Sequence, residues 1–143
     1  QTLESKGIRI SFLQEDDTEI LLRCFPYEIE TIINNLVANS VASFESIKRV
    51  QKLIIVKIYE DEEYAWIEYS DTGAGLIDKY KNDPEKILDA FETSKRDAEG
   101  ELVGTGMGMW IVNNTVIDYK GKLDLHKNKE TKEGFYATIA LKK

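Results

Sequence analysis

The sequence predicts an α+β fold in which one sheet carries helices on one face. Three observations lead there. Short segments with apolar residues at every second position stand near the start, in the middle and at the end of the chain. Between them run segments whose apolar residues recur every three or four positions. The order strands, helix, strands, helices, strands fits a single layered domain, and 143 residues with 42% hydrophobic content suffice to bury roughly two-thirds of the unfolded surface without a disulfide or metal.

Taken in order, residues 8–12 alternate through Ile8, Ile10 and Phe12, and residues 19–23 form another short apolar run. With the acidic stretch 14–18 between them they predict a hairpin. Pro26 suits the first turn of a helix, and Glu28 and Glu30 follow where the helix dipole favours acids. Ile29, Ile32, Ile33, Leu36, Val37 and Val41 keep helical spacing and define its apolar face. Residues 53–59 and 64–69, separated by the acidic 60–63, predict a second hairpin with Trp66 and Tyr69 on strand surfaces. Asp83, Pro84 and Glu85 read as a capped helix start that leads to Ile87, Leu88 and Phe91. A polar loop, residues 92–103, precedes a third helix over about residues 107–120. That helix packs through Trp110, Ile111, Val112 and Val116, and Gly121 ends it in a left-handed conformation. Residues 123–126 and 135–141 close the chain as strands.

The formal charge of −7 repels a phosphate backbone, and no lysine-arginine run or row of stacking aromatics offsets it, so nucleic acid is not an expected partner. The single cysteine, Cys24, cannot form an internal disulfide and suits a reducing compartment. The longest apolar runs, such as residues 53–56, are too short to span a bilayer, and no signal peptide opens the chain. A cytoplasmic domain without direct membrane contact is expected. The chain starts at Gln1 rather than at methionine. The expectation is one domain over residues 1–143 taken from a longer protein, which can itself be membrane-anchored.

Chemistry enters with the glycines. LVGTGMGMWIV, residues 102–112, places Gly104, Gly106 and Gly108 at every second position ahead of the third helix. The spacing matches neither a Walker loop, which needs a lysine and a hydroxyl after its last glycine, nor the dinucleotide fingerprint, which directly follows a strand. What it supplies is a pliable backbone opening a helix, whose free N–H groups and dipole can meet an anion. YSDTGAGL, residues 69–76, leaves a strand with Asp71, then Gly73 and Gly75. A carboxylate there can accept a hydrogen bond from an exocyclic amine such as that of adenine, and the glycines let a flat ring come close. In NNLVANS, residues 34–40, Asn35 and Asn39 lie four residues apart on one helix face. Their amide oxygens are hard ligands suited to Mg²⁺.

In this order the motifs resemble the ATP-binding catalytic domain of sensor histidine kinases, in the GHKL superfamily that also holds gyrase-type topoisomerases, MutL and a heat-shock chaperone ATPase. NNLVANS is similar to the N box, DTGAG to the first glycine box, DAFETSK (residues 89–95) to the F box and GTGMGM to the second glycine box. The resemblance covers about residues 8–141. It implies a Bergerat-type two-layer α/β sandwich, a mixed sheet backed by three helices with an ATP lid, and it implies ATP and Mg²⁺ as cofactors. Carried over residue by residue, Asp71 reads the adenine amine, Gly73 and Gly75 border the base, Asn39 ligates Mg²⁺, and Asn35 supports the metal or the phosphates. Phe91 anchors the base of the lid, and residues 93–104, from Thr93 onward, form most of it. Gly104, Gly106 and Gly108 serve as its hinge and, with Thr105 and Met107 between them, meet the phosphates.

Three departures refine the expectation. Many histidine kinases carry a basic residue three positions after the metal-binding asparagine and an aromatic next to it, where this chain has Ala42 and Ser43. The phosphate-neutralising cation is then expected from the lid, at Lys95 or Arg96. At position 35 the hydrolases of the superfamily usually place a glutamate as general base for water. Asn35 cannot take up a proton, which favours phosphoryl transfer over hydrolysis, with Asn35 and Asn39 as the catalytic pair. The only histidine, His126, falls in an expected late strand and lacks the flanking acid typical of a phosphoacceptor. The acceptor histidine is therefore expected on a dimerisation domain outside this chain, with a response regulator downstream. A hydrolase-branch ATPase or ATP-gated binding module, and an anti-sigma-type serine kinase, stay open as alternatives.

Overall fold

The structure, a computed structural model, describes residues 2–15, 19–48, 51–89 and 107–143. Among these, strands β1 (Ile8–Gln14), β2 (Lys52–Glu60), β3 (Tyr64–Asp71), β4 (Lys122–Asp124) and β5 (Tyr136–Lys142) form one sheet in the order β1-β2-β3-β5-β4. Helices α1 (Pro26–Glu45), α2 (Asp78–Lys81) and α3 (Gly108–Asp118) complete it. β1 runs parallel to β2, with Ile8 opposite Lys52, and the other pairings are antiparallel. The result is the mixed sheet with helices of an α+β fold.

The expected first hairpin does not form. Residues 19–23 adopt no strand, and β1 pairs instead with β2, across the crossover that contains the 20 residues of α1. Parallel neighbours need such a crossover, whereas a tight turn can join only antiparallel ones. Residues 16–18 of the expected turn lie outside the described residues. The second hairpin forms as expected, with Ile58 opposite Ile67.

α1 buries a narrower stripe than its apolar pattern suggests. Ile32, Leu36, Ser40 and Phe44, at four-residue intervals, are each at most 1% exposed. Ile29, Ile33, Val37 and Val41 pack beside them as half-buried flanks. A serine hydroxyl thus sits in the middle of the core stripe. The helix start has no side-chain cap. The Tyr119 hydroxyl, just past α3, accepts the Phe25 N–H at 3.0 Å and donates to Glu28 in the first turn.

Burial along β3 alternates residue by residue, so Ala65, Ile67, Tyr69 and Asp71 all point inward. Tyr69 is therefore a core residue, 1% exposed, and not the strand-surface residue expected; Trp66 does lie on the opposite face, stacked on Tyr59. Ile54 and Val56 of β2, Val112 and Val116 of α3, and Ile139 and Leu141 of β5 fill the space between sheet and helices. Trp110, expected to pack α3, is instead 40% exposed. The turn Asp83 opens is a 3-10 helix, Pro84–Leu88, and Asp83 makes no capping bond. Phe91 lies outside the described residues.

The end of α3 also departs from expectation. The left-handed residue is Lys120, at φ 54°, and the N–H groups of Lys120 and Gly121 bond back to Ile117 and Val116 at 2.8 and 2.9 Å. Gly121 is required for space instead, since a Cβ there would lie 1.9 Å from the carbonyl oxygen of Ala140. β4 then stops at Asp124, and His126 opens a 3-10 turn, His126–Lys129, instead of extending a strand. Within that turn Asn128, 2% exposed, donates to the carbonyls of Leu125 (2.8 Å) and Tyr136 (2.7 Å) and accepts the Tyr136 N–H (3.0 Å). Asn128→Ala would strand those backbone groups, and urea denaturation should register a loss of about 2–3 kcal/mol.

Candidate functional site

The site forms where the end of β3 meets α1 and the start of β5. Strand periodicity carries Asp71 inward behind Tyr69 and leaves it 5% exposed. Its Oδ1 accepts the N–H groups of Gly73 (2.9 Å) and Phe135 (3.0 Å), and its Oδ2 accepts the hydroxyl of Ser40 (2.5 Å). A carboxylate offers about four acceptor positions, so among the described residues one is left over, on Oδ2. An N–H donor from outside the chain can use it.

The loop after β3 is clamped to α1 and to the segment before β5. Ser43, one turn beyond Ser40, accepts the Ala74 N–H at 2.8 Å. Its Oγ would lie 2.4 Å from a Cβ at residue 73, so glycine there makes room for this clamp. Thr72 joins β2, exchanging backbone and side-chain bonds with Leu53. Gly134 donates its N–H to the Gly73 carbonyl at 3.0 Å, and the Asp71 N–H donates to Phe135 at 3.1 Å. Gly75 sits at φ +77° and Gly134 at φ +79°, both in the left-handed region that favours glycine.

Asn35 connects α1 to α3. Its Nδ2 donates to the Thr31 carbonyl at 2.8 Å, which fixes the amide and leaves Oδ1 facing the other way. A Cβ on Gly108 would come within 3.1 Å of that oxygen, so an acceptor stands at the first turn of α3. N–H groups of a first helical turn have no partner within the helix. Asn39 follows one turn later on α1 and is half-buried.

The structure thus sets Asn35 of α1 against Gly108 at the entry to α3, and ties Asp71 and the Gly73–Ala74 turn to α1 through Ser40 and Ser43, with Asn39 on the same helix between these two points. Phe91, Thr93, Lys95, Arg96, Gly104, Thr105 and Gly106, together with the expected lid, lie outside the described residues. Among the described residues no group of three or more histidine, cysteine, aspartate or glutamate side chains could hold a metal ion. None of their helices is long and apolar enough to cross a membrane.

Sequence reasoning missed Ser40, Ser43, Tyr69, Gly134 and Phe135. Ser40 was detectable, since it falls four residues after Leu36 on the core stripe. The Tyr69 hydroxyl lies 2.5 Å from Ser40 Oγ. Burial pushes this phenol well above its ordinary range, the Asp71 charge adds to the rise, and the Ser40 bond opposes it. Below about pH 10 the phenol is neutral in both folded and unfolded chains. Above that value the unfolded chain ionises first, so this contribution to stability is lost as pH rises. Tyr69→Phe should make the alkaline decline of urea-measured stability shallower.

An α+β domain that offers an inward carboxylate, glycine turns and a glycine-led helix start has the make-up of a nucleotide site. The family model for histidine kinase-, DNA gyrase B- and HSP90-like ATPases matches residues 26–143, and the chain belongs to that family. It is therefore an ATP-binding kinase or ATPase domain. Its fold is similar to the catalytic domain of the histidine kinase ThkA, with a TM-score of 0.73 and 19% identity over 99% of this chain and 84% of that one. The mycobacterial sensor histidine kinase MprB superposes with a TM-score of 0.71 and 17% identity over 97% of this chain and 84% of that one. Full-length ShkA, described in complex with AMPPNP, gives a TM-score of 0.67 and 18% identity over 97% of this chain, which spans 26% of that protein. No curated protein sequence matches this chain.

Proposed function

We propose that this chain is the catalytic domain of a sensor histidine kinase, which binds Mg-ATP and donates the γ-phosphoryl group to a histidine on a dimerisation domain outside residues 1–143. A response regulator would receive the group next. The cytoplasm is the proposed compartment, with any membrane anchor in the parent protein.

Asn35 carries the reading. Position 35 presents an amide acceptor to the start of α3 and offers no group able to take a proton from water. Among the described acids of α1, Glu28 is engaged by the Tyr119 hydroxyl and Glu30 is exposed, so neither supplies one. A site whose described residues present no base at position 35 relies on positioning and charge, which suits transfer to a nucleophile delivered by another domain.

The remaining residues fit the same ligand. The open position on Asp71 Oδ2 suits the adenine amine, whereas guanine would set a carbonyl oxygen against the carboxylate. Gly73 and Gly75 border the ring. Asn39 supplies an oxygen for Mg²⁺, which would neutralise the phosphates when bound, and no carboxylate cage is needed for an ion that keeps its waters and phosphate ligands. Gly104, Thr105, Gly106, Met107 and Gly108 would bring backbone N–H groups to the phosphates, Phe91 and Thr93 belong to the lid, and Lys95 or Arg96 would supply the missing cation. ShkA, whose structure includes AMPPNP, shares the fold and supports this assignment.

The test uses γ-labelled ATP with the isolated chain and with the longer parent. Acid-labile, alkali-stable label on the parent and none on the isolated chain is the expected result. Rapid release of free phosphate by the isolated chain would favour the hydrolase reading instead.

A further inference from the structure

Two buried hydroxyls stand behind Asp71. Ser40 and Tyr69 are each 1% exposed, and Ser40 Oγ lies 2.5 Å from both the Tyr69 hydroxyl and Asp71 Oδ2. We propose that Tyr69 and Ser40 are positioning residues for base selection, a chain of two hydroxyls that leaves Asp71 one acceptor position, aimed at the bound base. The inference rests on the ATP reading above and names which residues make that site selective.

Proton bookkeeping sets the direction of the chain. An ionised carboxylate only accepts, so Ser40 must give its single proton to Asp71. Ser40 Oγ then receives the phenol proton, and the order Tyr69 to Ser40 to Asp71 is the only one in which all three are satisfied. Each bond polarises the next in a water-poor interior, which strengthens the hold on Oδ2.

The backbone makes the chain rigid. Tyr69 is held in β3 opposite Val56 of β2 and Ala137 of β5. Its ring meets the edge of Phe135 at 6.5 Å between centroids, and the Phe135 N–H bonds the other carboxylate oxygen. Both oxygens of Asp71 are thus fixed from the core side. Without the Ser40 bond, Oδ2 would have two open positions and could take a donor from an off-axis ligand or a water. A polar site rejects an analogue lacking the matching group only while no other partner can fill the gap.

The test compares ATP with purine riboside triphosphate, which lacks the exocyclic amine, by calorimetric titration of the intact chain, Ser40→Ala, Tyr69→Phe and the double variant. Melting temperatures are recorded for each. The wild type should prefer ATP, and Ser40→Ala should shrink that preference about tenfold, the scale of one hydrogen bond to a charged group. Tyr69→Phe should shrink it less, and adding it to Ser40→Ala should change the ratio no further, because the two act in series. A purely structural pair would lower melting temperature and both affinities together and leave the ratio unchanged, which overturns the inference while the ATP reading stands. A wild-type chain that binds neither nucleotide overturns both. If Ser40→Ala does not fold, Tyr69→Phe, which keeps the ring in place, decides by the same ratio.

Discussion

Asp71→Asn should abolish measurable ATP binding while the chain stays folded. Asp71 Oδ1 accepts two backbone N–H groups, from Gly73 and Phe135, so the variant's amide nitrogen cannot sit there and must take the place of Oδ2. In that place it meets Ser40, whose hydroxyl can turn round and accept. The core contacts persist with their direction reversed, but the buried Tyr69 proton is left without its acceptor, so the variant should also lose about 1–3 kcal/mol of stability. The outward position is then an N–H donor, and it faces the donor amine of adenine.

Losing a charge-assisted bond and gaining a donor-donor clash together should cost about 3 kcal/mol, or roughly a hundredfold in affinity. Calorimetric titration with ATP and ADP, with and without Mg²⁺, measures it, and a thermal melt checks folding. Wild-type binding that the variant retains would remove Asp71 from the role of base reader. Absence of wild-type binding in a folded sample would count against the nucleotide reading of the whole site.

Much of this site was legible because its chemistry needs particular residue types at fixed spacing. Asn35 and Asn39 share a face by helical geometry, and Asp71 falls where an expected strand gives way to a glycine turn, so sequence alone places each on its element, whereas the inward side that Asp71 shares with Tyr69 came only from the structure. What stayed hidden depends on contacts between elements distant in sequence. Nothing near Gly134 shows that its neighbour in space is the backbone of Asp71, and nothing near Ser40 shows that Tyr69 stands opposite it.

The misread elements failed for equally physical reasons. Two short apolar runs near the start suggest a hairpin, but β1 gains more by pairing with β2, where Ile10 lies opposite Ile54 and Phe12 opposite Val56. Trp110 has the apolar character of a packing residue and helical spacing to Val112 and Val116 that looks close to theirs. Two positions along a helix turn the side chain through about 200°, however, which sends Trp110 outward when Val112 points in. In sequence Ser43 stands out only as a missing aromatic. Its hydroxyl caps Ala74, and an aromatic side chain would offer no acceptor of that size to the same N–H.

Gly134→Ala should be among the most damaging single-methyl changes in the chain, and its effect should reach the site. Residue 134 holds φ +79°, a conformation that disfavours any Cβ by about 1–2 kcal/mol. The added methyl would also lie 2.4 Å from the carbonyl oxygen of Asp71. That neighbour is backbone and cannot rotate away, so the ends of β3 and β5 must separate, with an overpacking cost of about 1–3 kcal/mol. Their separation strains the bonds from Gly134 to Gly73, from Asp71 to Phe135, and from Phe135 to the Asp71 carboxylate. A combined loss of about 2–5 kcal/mol corresponds to a melting temperature lower by roughly 10 °C for a domain of this size. Gly7→Ala separates the two causes, because Gly7 sits at φ +73° with nothing within 4 Å of an added methyl. It should lose only the conformational part, about 1–2 kcal/mol, and leave ATP affinity unchanged. Gly134→Ala should weaken ATP binding even well below its melting temperature, since the carboxylate loses the Phe135 donor that orients it. Equal destabilisation by the two changes would mean that the loop yields to the methyl and that the contact with Asp71 does not constrain the site.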